Sequence, residues 1–136
     1  RISGPLMDRI DLHVEVTPVA FDDLSTKSSG ESSNKIRPRV IIARNIQKDR
    51  FEKAGNIYCN SQMSSKDIAN YCMLNSNGQT LLKLAMEKLN LSARAYDRII
   101  KVSRTIADLD ASHDIKNDHL AEAIQYRSLD RDNWGS

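Results

Sequence analysis

Apolar and polar residues alternate from Asp8 to Val16, with Ile10, Leu12, Val14 and Val16 on one face and Asp11, His13 and Glu15 on the other. A period of two predicts a strand over residues 9–16. Pro18 follows, and Ser25 to Ser33 then holds five serines in nine residues with one glycine. That composition buries too little to order itself, so residues 22–34 read as a flexible loop. Beyond it the period lengthens: Ile36, Val40, Ala43 and Ile46 recur at helical spacing and Phe51 falls near the same stripe. This predicts a helix over residues 34–53, with Pro38 tolerable only near its start.

Four further helices follow, each announced by its boundary residues. Ser64 with Asp67 resembles a capping box and opens a short helix carrying Ile68, Tyr71 and Cys72, ending near Met73. Asn75 caps a helix over 76–89 whose stripe is Leu82, Ala85, Met86 and Leu89, closed by Asn90. Ser92 caps the clearest amphipathic helix, in which Tyr96, Ile99, Ile100, Ser103, Ile106 and Ala107 share an arc about 120° wide. Ile115 and Leu120 sit as the two halves of a hydrophobic staple before a last helix with Ala123, Ile124 and Arg127. The fold class is therefore mostly α, a helical bundle preceded by one strand, with a loose tail after Ser128.

Composition bounds the function classes. A chain of 136 residues makes one modest domain that needs no disulfide staples. No apolar run approaches the length of a membrane span, and the start Arg1-Ile2-Ser3-Gly4-Pro5 has no secretory-signal layout and no initiating Met, so the chain reads as cut from a longer one. Cys59 and Cys72 lie 13 apart, which suits reduced thiols better than a bridge or a zinc site. A formal net charge of +2 does not announce a nucleic-acid binder, so any basic partner surface must come from local clustering.

Two clusters meet that requirement. Arg37, Arg44 and Lys48 share a face in a segment with seven basic and two acidic residues between Lys35 and Lys53, a candidate surface for nucleic acid or an acidic partner, though such faces are commonly just solvated. Arg94, Arg98 and Lys101 line up at offsets of four and seven, opposite the apolar arc, where like charges repel. Arg94 also stands in the first turn, where the helix dipole disfavours a cation and favours an anion. A bound phosphate would relieve both penalties; alternatively Asp97 neutralises Lys101 and Asp108 pairs with Arg104, leaving an ordinary charged surface. Arg9 is placed to project from the strand edge, or to pair with Asp8 or Asp11. Asp11, His13 and Glu15 form a metal-like triplet, but consecutive same-face positions on one strand rarely converge on one ion, so no metal site is assigned. His113 and His119 lack a fitting ligand cluster, and no phosphate loop, nucleophile elbow or zinc-helix motif occurs, so no self-sufficient catalytic motif is present.

The run Gly4-Pro5-Leu6-Met7-Asp8-Arg9-Ile10-Asp11-Leu12-His13-Val14-Glu15-Val16 resembles the family of magnesium-chelatase-like AAA+ ATPases (ComM/YifB). Asn60-Ser61-Gln62-Met63-Ser64, Leu91-Ser92-Ala93-Arg94-Ala95-Tyr96-Asp97-Arg98, Arg104-Thr105-Ile106-Ala107-Asp108-Leu109-Asp110 and Ala123-Ile124-Gln125-Tyr126-Arg127-Ser128-Leu129-Asp130-Arg131 are similar to its C-terminal blocks. Met7 stands where Leu is usual and Asn90 where Gly is common; neither change removes a functional group.

The resemblance implies that residues 1–21 are the C-terminal end of an ATPase core, 35–130 a helical lid and 131–136 a tail. It makes Arg94 the sensor-2 arginine that reaches ATP phosphate, with Arg98 and Lys101 beside it. It makes Arg9 an arginine finger, a catalytic residue supplied in trans to the neighbouring subunit. The phosphate-loop lysine and the acidic residues for Mg²⁺ would lie before Arg1, so ATP and Mg²⁺ belong to the full-length protein and neither ligand nor turnover is expected of this segment alone. The implied protein is a cytoplasmic homo-hexameric ring acting on DNA in recombination or uptake; an ATPase subunit of a metal chelatase and a helical adaptor working through its basic face remain the alternatives.

Overall fold

The computed structural model describes residues 3–21 and 30–127. Their helices, in chain order, are the single turn α1 (Gly4–Met7), then α2 (Ser33–Phe51), α3 (Ser65–Tyr71), α4 (Ser76–Lys88), α5 (Ala93–Leu109) and α6 (Asn117–Gln125), with a 3₁₀ turn at Asn60–Gln62 between α2 and α3. Among the described residues this is a helical bundle without a strand. The amphipathic α5 is its central rod: α2, α3, α6 and the 3₁₀ turn pack on it, and α4 packs on α6.

The helix starts follow the chain's local chemistry. Ser64 accepts from the Asp67 N–H while the Asp67 carboxylate accepts from the Ser64 N–H at 2.8 Å, a complete capping box. Asn75 accepts from Gly78 N–H at 2.7 Å and Ser92 from Ala95 N–H at 3.3 Å. Asn90, between α4 and α5, takes φ +49°, the left-handed region that Asn tolerates better than most residues and Gly best of all. Ile115 and Leu120 are both buried at the start of α6, as a staple requires. One apolar core joins the helices through Phe51, Met63, Ile68, Leu82, Ile99, Ile100, Ile115 and Leu120, with Tyr71 edge-on to Phe51 at a centroid distance of 5.5 Å.

Three expectations fail. Residues 9–16 form no strand: the segment lies along the bundle, where its backbone meets the helices through His13 N–H donating to Tyr126 C=O at 2.8 Å. A strand needs a neighbour to satisfy its ladder, and none stands beside this segment among the described residues. The alternation is not matched by burial either: His13 is buried, while Asp11 and Glu15 on its own face and Ile10, Leu12, Val14 and Val16 on the other are all exposed. Second, the apolar stripe of α2 is buried only in its C-terminal half, at Ala43 and Phe51, with Gln47 buried beside them, while Ile36 and Val40 are exposed. Third, Tyr96, although inside the α5 arc, is 42% exposed near the N-terminal end of that helix. The loop over 22–34 and the tail fall largely outside the described residues, apart from its last positions, where Ser33 already opens α2.

Candidate functional site

The α5 face opposite the core carries Arg94, Arg98 and Lys101, and all three line one open groove of about 660 Å³. Asp11, Leu12 and Val14 of the N-terminal segment, Val102, Thr105 and Ile106 of α5, and Tyr126 line it as well. The three cations are therefore brought together, as their spacing predicts. Arg94 is exposed in the first turn of a helix with no acidic residue there, so dipole and cation add at that point. Lys101 is held: its ammonium donates to Ser61 C=O at 3.1 Å. Arg98 pairs with Asp11 across the groove. Asp97 and Glu122 also line the walls, so the positive end is local to Arg94 rather than general to the groove.

The alternative pairings are partly realised. Among the described residues Asp97 makes no ion pair with Lys101, whereas Arg104 does contact Asp108, Nε to Oδ1 at 3.2 Å. That pair is not surface charge, as the plain reading of the sequence had it: both residues are buried, Asp108 completely. Arg50 reaches the same carboxylate from α2 with two donors, at 2.8 and 2.5 Å, and Asn60 Nδ2 adds a fourth at 2.8 Å. Arg104 also donates from Nη1 to His113 C=O (2.9 Å) and from Nη2 to Ser112 C=O (2.7 Å), and the Asn60 N–H donates to Gln47 at 3.0 Å. Burial pulls the Arg104 guanidinium below its ordinary value, against the pull of Asp108. The row Ile100, Arg104, Asp108 steps at i+4 out of the apolar arc toward the basic row, so periodicity gives no sign that Asp108 is buried, and the convergence of Arg50 and Asn60 on it is visible only in three dimensions.

The other candidates disperse. Arg9 is exposed just after α1 and does not line the groove; Asp8 lies 3.9 Å from Arg127 and Asp11 is on Arg98, so among the described residues neither pairs with Arg9. Arg37 stands apart, while Arg44 and Lys48 flank a second recess with Asp49, Glu52 and the exposed Tyr58, a balanced set of charges. His13 is turned inward with its ring against Met7 C=O at 3.2 Å, which separates it from Asp11 and Glu15. His119 is buried, its Nδ1 accepting from Lys116 N–H (3.0 Å) and its Nε2 directed at Asp110 (2.9 Å). Among the described residues no three His, Cys, Asp or Glu side chains are grouped to hold a metal ion, and no helix is long and apolar enough to cross a membrane.

Comparison with known proteins places these features. Residues 30–127 match the family described as magnesium chelatase, subunit ChlI C-terminal. The chain is 46% identical over 132 residues to the competence protein ComM of Haemophilus influenzae, and 40% and 39% identical to the uncharacterised YifB proteins of Escherichia coli and Salmonella typhimurium. Each alignment covers 96% of this chain and 25% of the relative, so the chain spans about a quarter of their length. The helical bundle from Ser33 to Arg127, with its capped α5 and buried Asp108 cluster, belongs to the magnesium chelatase ChlI C-terminal family, in the form carried by ComM/YifB-like proteins.

Proposed function

We propose that this chain is the lid and subunit-interface segment of a ring-forming AAA+ ATPase, with Arg94 as its contact to ATP phosphate and Arg9 as a finger offered to the neighbouring subunit. The single observation that carries the reading is the row Arg94, Arg98 and Lys101, gathered on one face of α5 along an open groove with Arg94 in the anion-favouring first turn. Those residues fit a polyphosphate: an exposed guanidinium offers paired donors, and Lys101 is already fixed beside it by Ser61. ATP with Mg²⁺, bound by an N-terminal core, supplies the transferable phosphoryl group. This chain's part is electrostatic. Arg94 binds and orients the phosphate end, Arg98 and Lys101 stand along the same face, tied to Asp11 and Ser61, and Arg9 stabilises charge developing in the adjacent subunit's site.

In this reading residues 1–21 close the ATPase core and 35–130 form the lid. The motor's substrate is DNA, a reading supported by the likeness to a competence protein. A chelatase subunit is the second outcome, since the family's own description is of a magnesium chelatase. ATP turnover by the full-length protein, with and without DNA, tests the proposal. Arg94→Ala is expected to weaken ATP use by roughly 10- to 100-fold, the scale of a lost charge-assisted contact. Arg9→Ala is expected to lower kcat by on the order of 10³-fold, and mixing the two mutants restores part of the turnover. Normal turnover by both mutants overturns the assignments; turnover indifferent to DNA moves the motor to another substrate.

A further inference from the structure

We infer that Arg127 is a positioning residue for Arg9: it grips the chain on either side of Arg9 and sets the direction in which that side chain leaves the bundle. This rests on the finger reading of Arg9 and adds to it the element that aims the finger. Arg127 follows the end of α6, and its side chain is only 1% exposed. Its Nη1 donates to the carbonyl of Ile10, the residue after Arg9, and its Nη2 lies 3.9 Å from the carboxylate of Asp8, the residue before it. The guanidinium thus hydrogen-bonds the neighbour on one side of Arg9 and keeps the carboxylate on the other within ion-pair range, an arrangement that an ammonium or an amide reproduces less well. Arg9 itself stays exposed between the two held neighbours.

Two further contacts keep the same strap in place. His13 N–H donates to Tyr126 C=O at 2.8 Å, and the His13 ring meets Met7 C=O at 3.2 Å, which closes the strap back on α1. Asp11 reaches across to Arg98 on α5. Residues 8–13 are thus tied to α5 and α6 without any strand pairing. An arginine acting on a neighbouring subunit must arrive already oriented, because a misplacement of about 1 Å at a reacting centre costs on the order of 100-fold in rate.

Complementation in the full-length protein tests this. Arg127→Met keeps the volume of the buried side chain and removes the grip. Its kcat is expected to fall about 100-fold with KM for ATP unchanged, and Arg9→Ala/Arg127→Met should be no slower than Arg9→Ala alone. Mixed with Arg94→Ala subunits, Arg127→Met should recover turnover, because the Arg94→Ala subunits still carry aimed fingers; mixed with Arg9→Ala it should not. Arg127→Lys should recover part of the loss. If Arg127→Met fails to assemble, Asp8→Asn, which loosens the grip from the other side, is read in the same mixtures. Recovery on mixing Arg127→Met with Arg9→Ala, or a double mutant slower than Arg9→Ala, overturns the positioning role. Failure of the control mixture of Arg94→Ala with Arg9→Ala instead overturns the finger reading itself.

Discussion

Two thiols in one small bundle show how far position outweighs residue type. Cys72 is buried between α3 and the core, its S–H toward Met63 sulfur at 3.9 Å, and burial pushes its thiol from 9.0 up to about 11. Cys59 is half-exposed beside the Ser61 hydroxyl. Thiol titration of the folded chain at pH 8 should therefore show one fast-reacting cysteine, lost in Cys59→Ser, and a second that reacts only on unfolding; equal rates for both would refute this. The same shift has a stability sign. The folded pKa is raised, so the contribution of Cys72 is complete below pH 9.0 and is lost as pH rises from there through about 11, where the unfolded thiol ionises and the buried one resists.

Among the elements, α6 shows a start built from a histidine where a hydroxyl or carboxylate is usual. His119 Nδ1 accepts from Lys116 N–H, which leaves the ring proton on Nε2, pointing at Asp110 past the end of α5. The hydrogen bond from His119 holds the Asp110 carboxyl below its ordinary 3.8. A lowered folded pKa gives stability that is present above 3.8 and lost as pH falls through the folded value, so acid should loosen the α5–α6 junction. Protection of the Lys116 amide from exchange, taken against the unstructured rate at the same pH, is expected to fall below about pH 4 in the wild type, and Asp110→Asn should show that lower protection already at neutral pH. An exchange rate at Lys116 that Asp110→Asn leaves unchanged would remove the pair from the account of this junction.

At the scale of the whole molecule, the Asp108 carboxylate is the tie between α2, the 3₁₀ turn and α5. It receives Arg50, Arg104 and Asn60 at a site with no solvent exposure, and through the Asn60–Ser61 turn it also fixes the carbonyl that holds Lys101 in the groove. Removing one partner of a buried ionic cluster leaves the others uncompensated. Asp108→Ala is expected to destabilise the chain by about 3–5 kcal/mol, read by urea unfolding with the m-value unchanged. A loss under about 1 kcal/mol would mean that the two arginines find water instead. The cluster thus links the fold to the proposed nucleotide face.

Among the described residues, the five longer helices and their boundaries were legible from the sequence because they depend on local physics: Ser64, Asn75 and Ser92 cap their own helices, and the α5 arc follows from a period of 3.6, whereas the single turn α1 and the 3₁₀ turn at Asn60–Gln62 were not. The row Arg94, Arg98 and Lys101 was legible for the same reason, since offsets of four and seven put it on one face wherever α5 packs. Alternation at 9–16 is equally local, but a strand exists only in a sheet, and here the tertiary structure supplied helices and turned His13 inward instead. Which half of α2 is buried, that Arg50 and Arg104 share one carboxylate, and that Arg127 holds the residues around Arg9 were decided by tertiary structure alone. Contacts separated by 58 and 117 residues leave no periodic trace, because they depend on where helix axes cross and not on the order of side chains along any one of them.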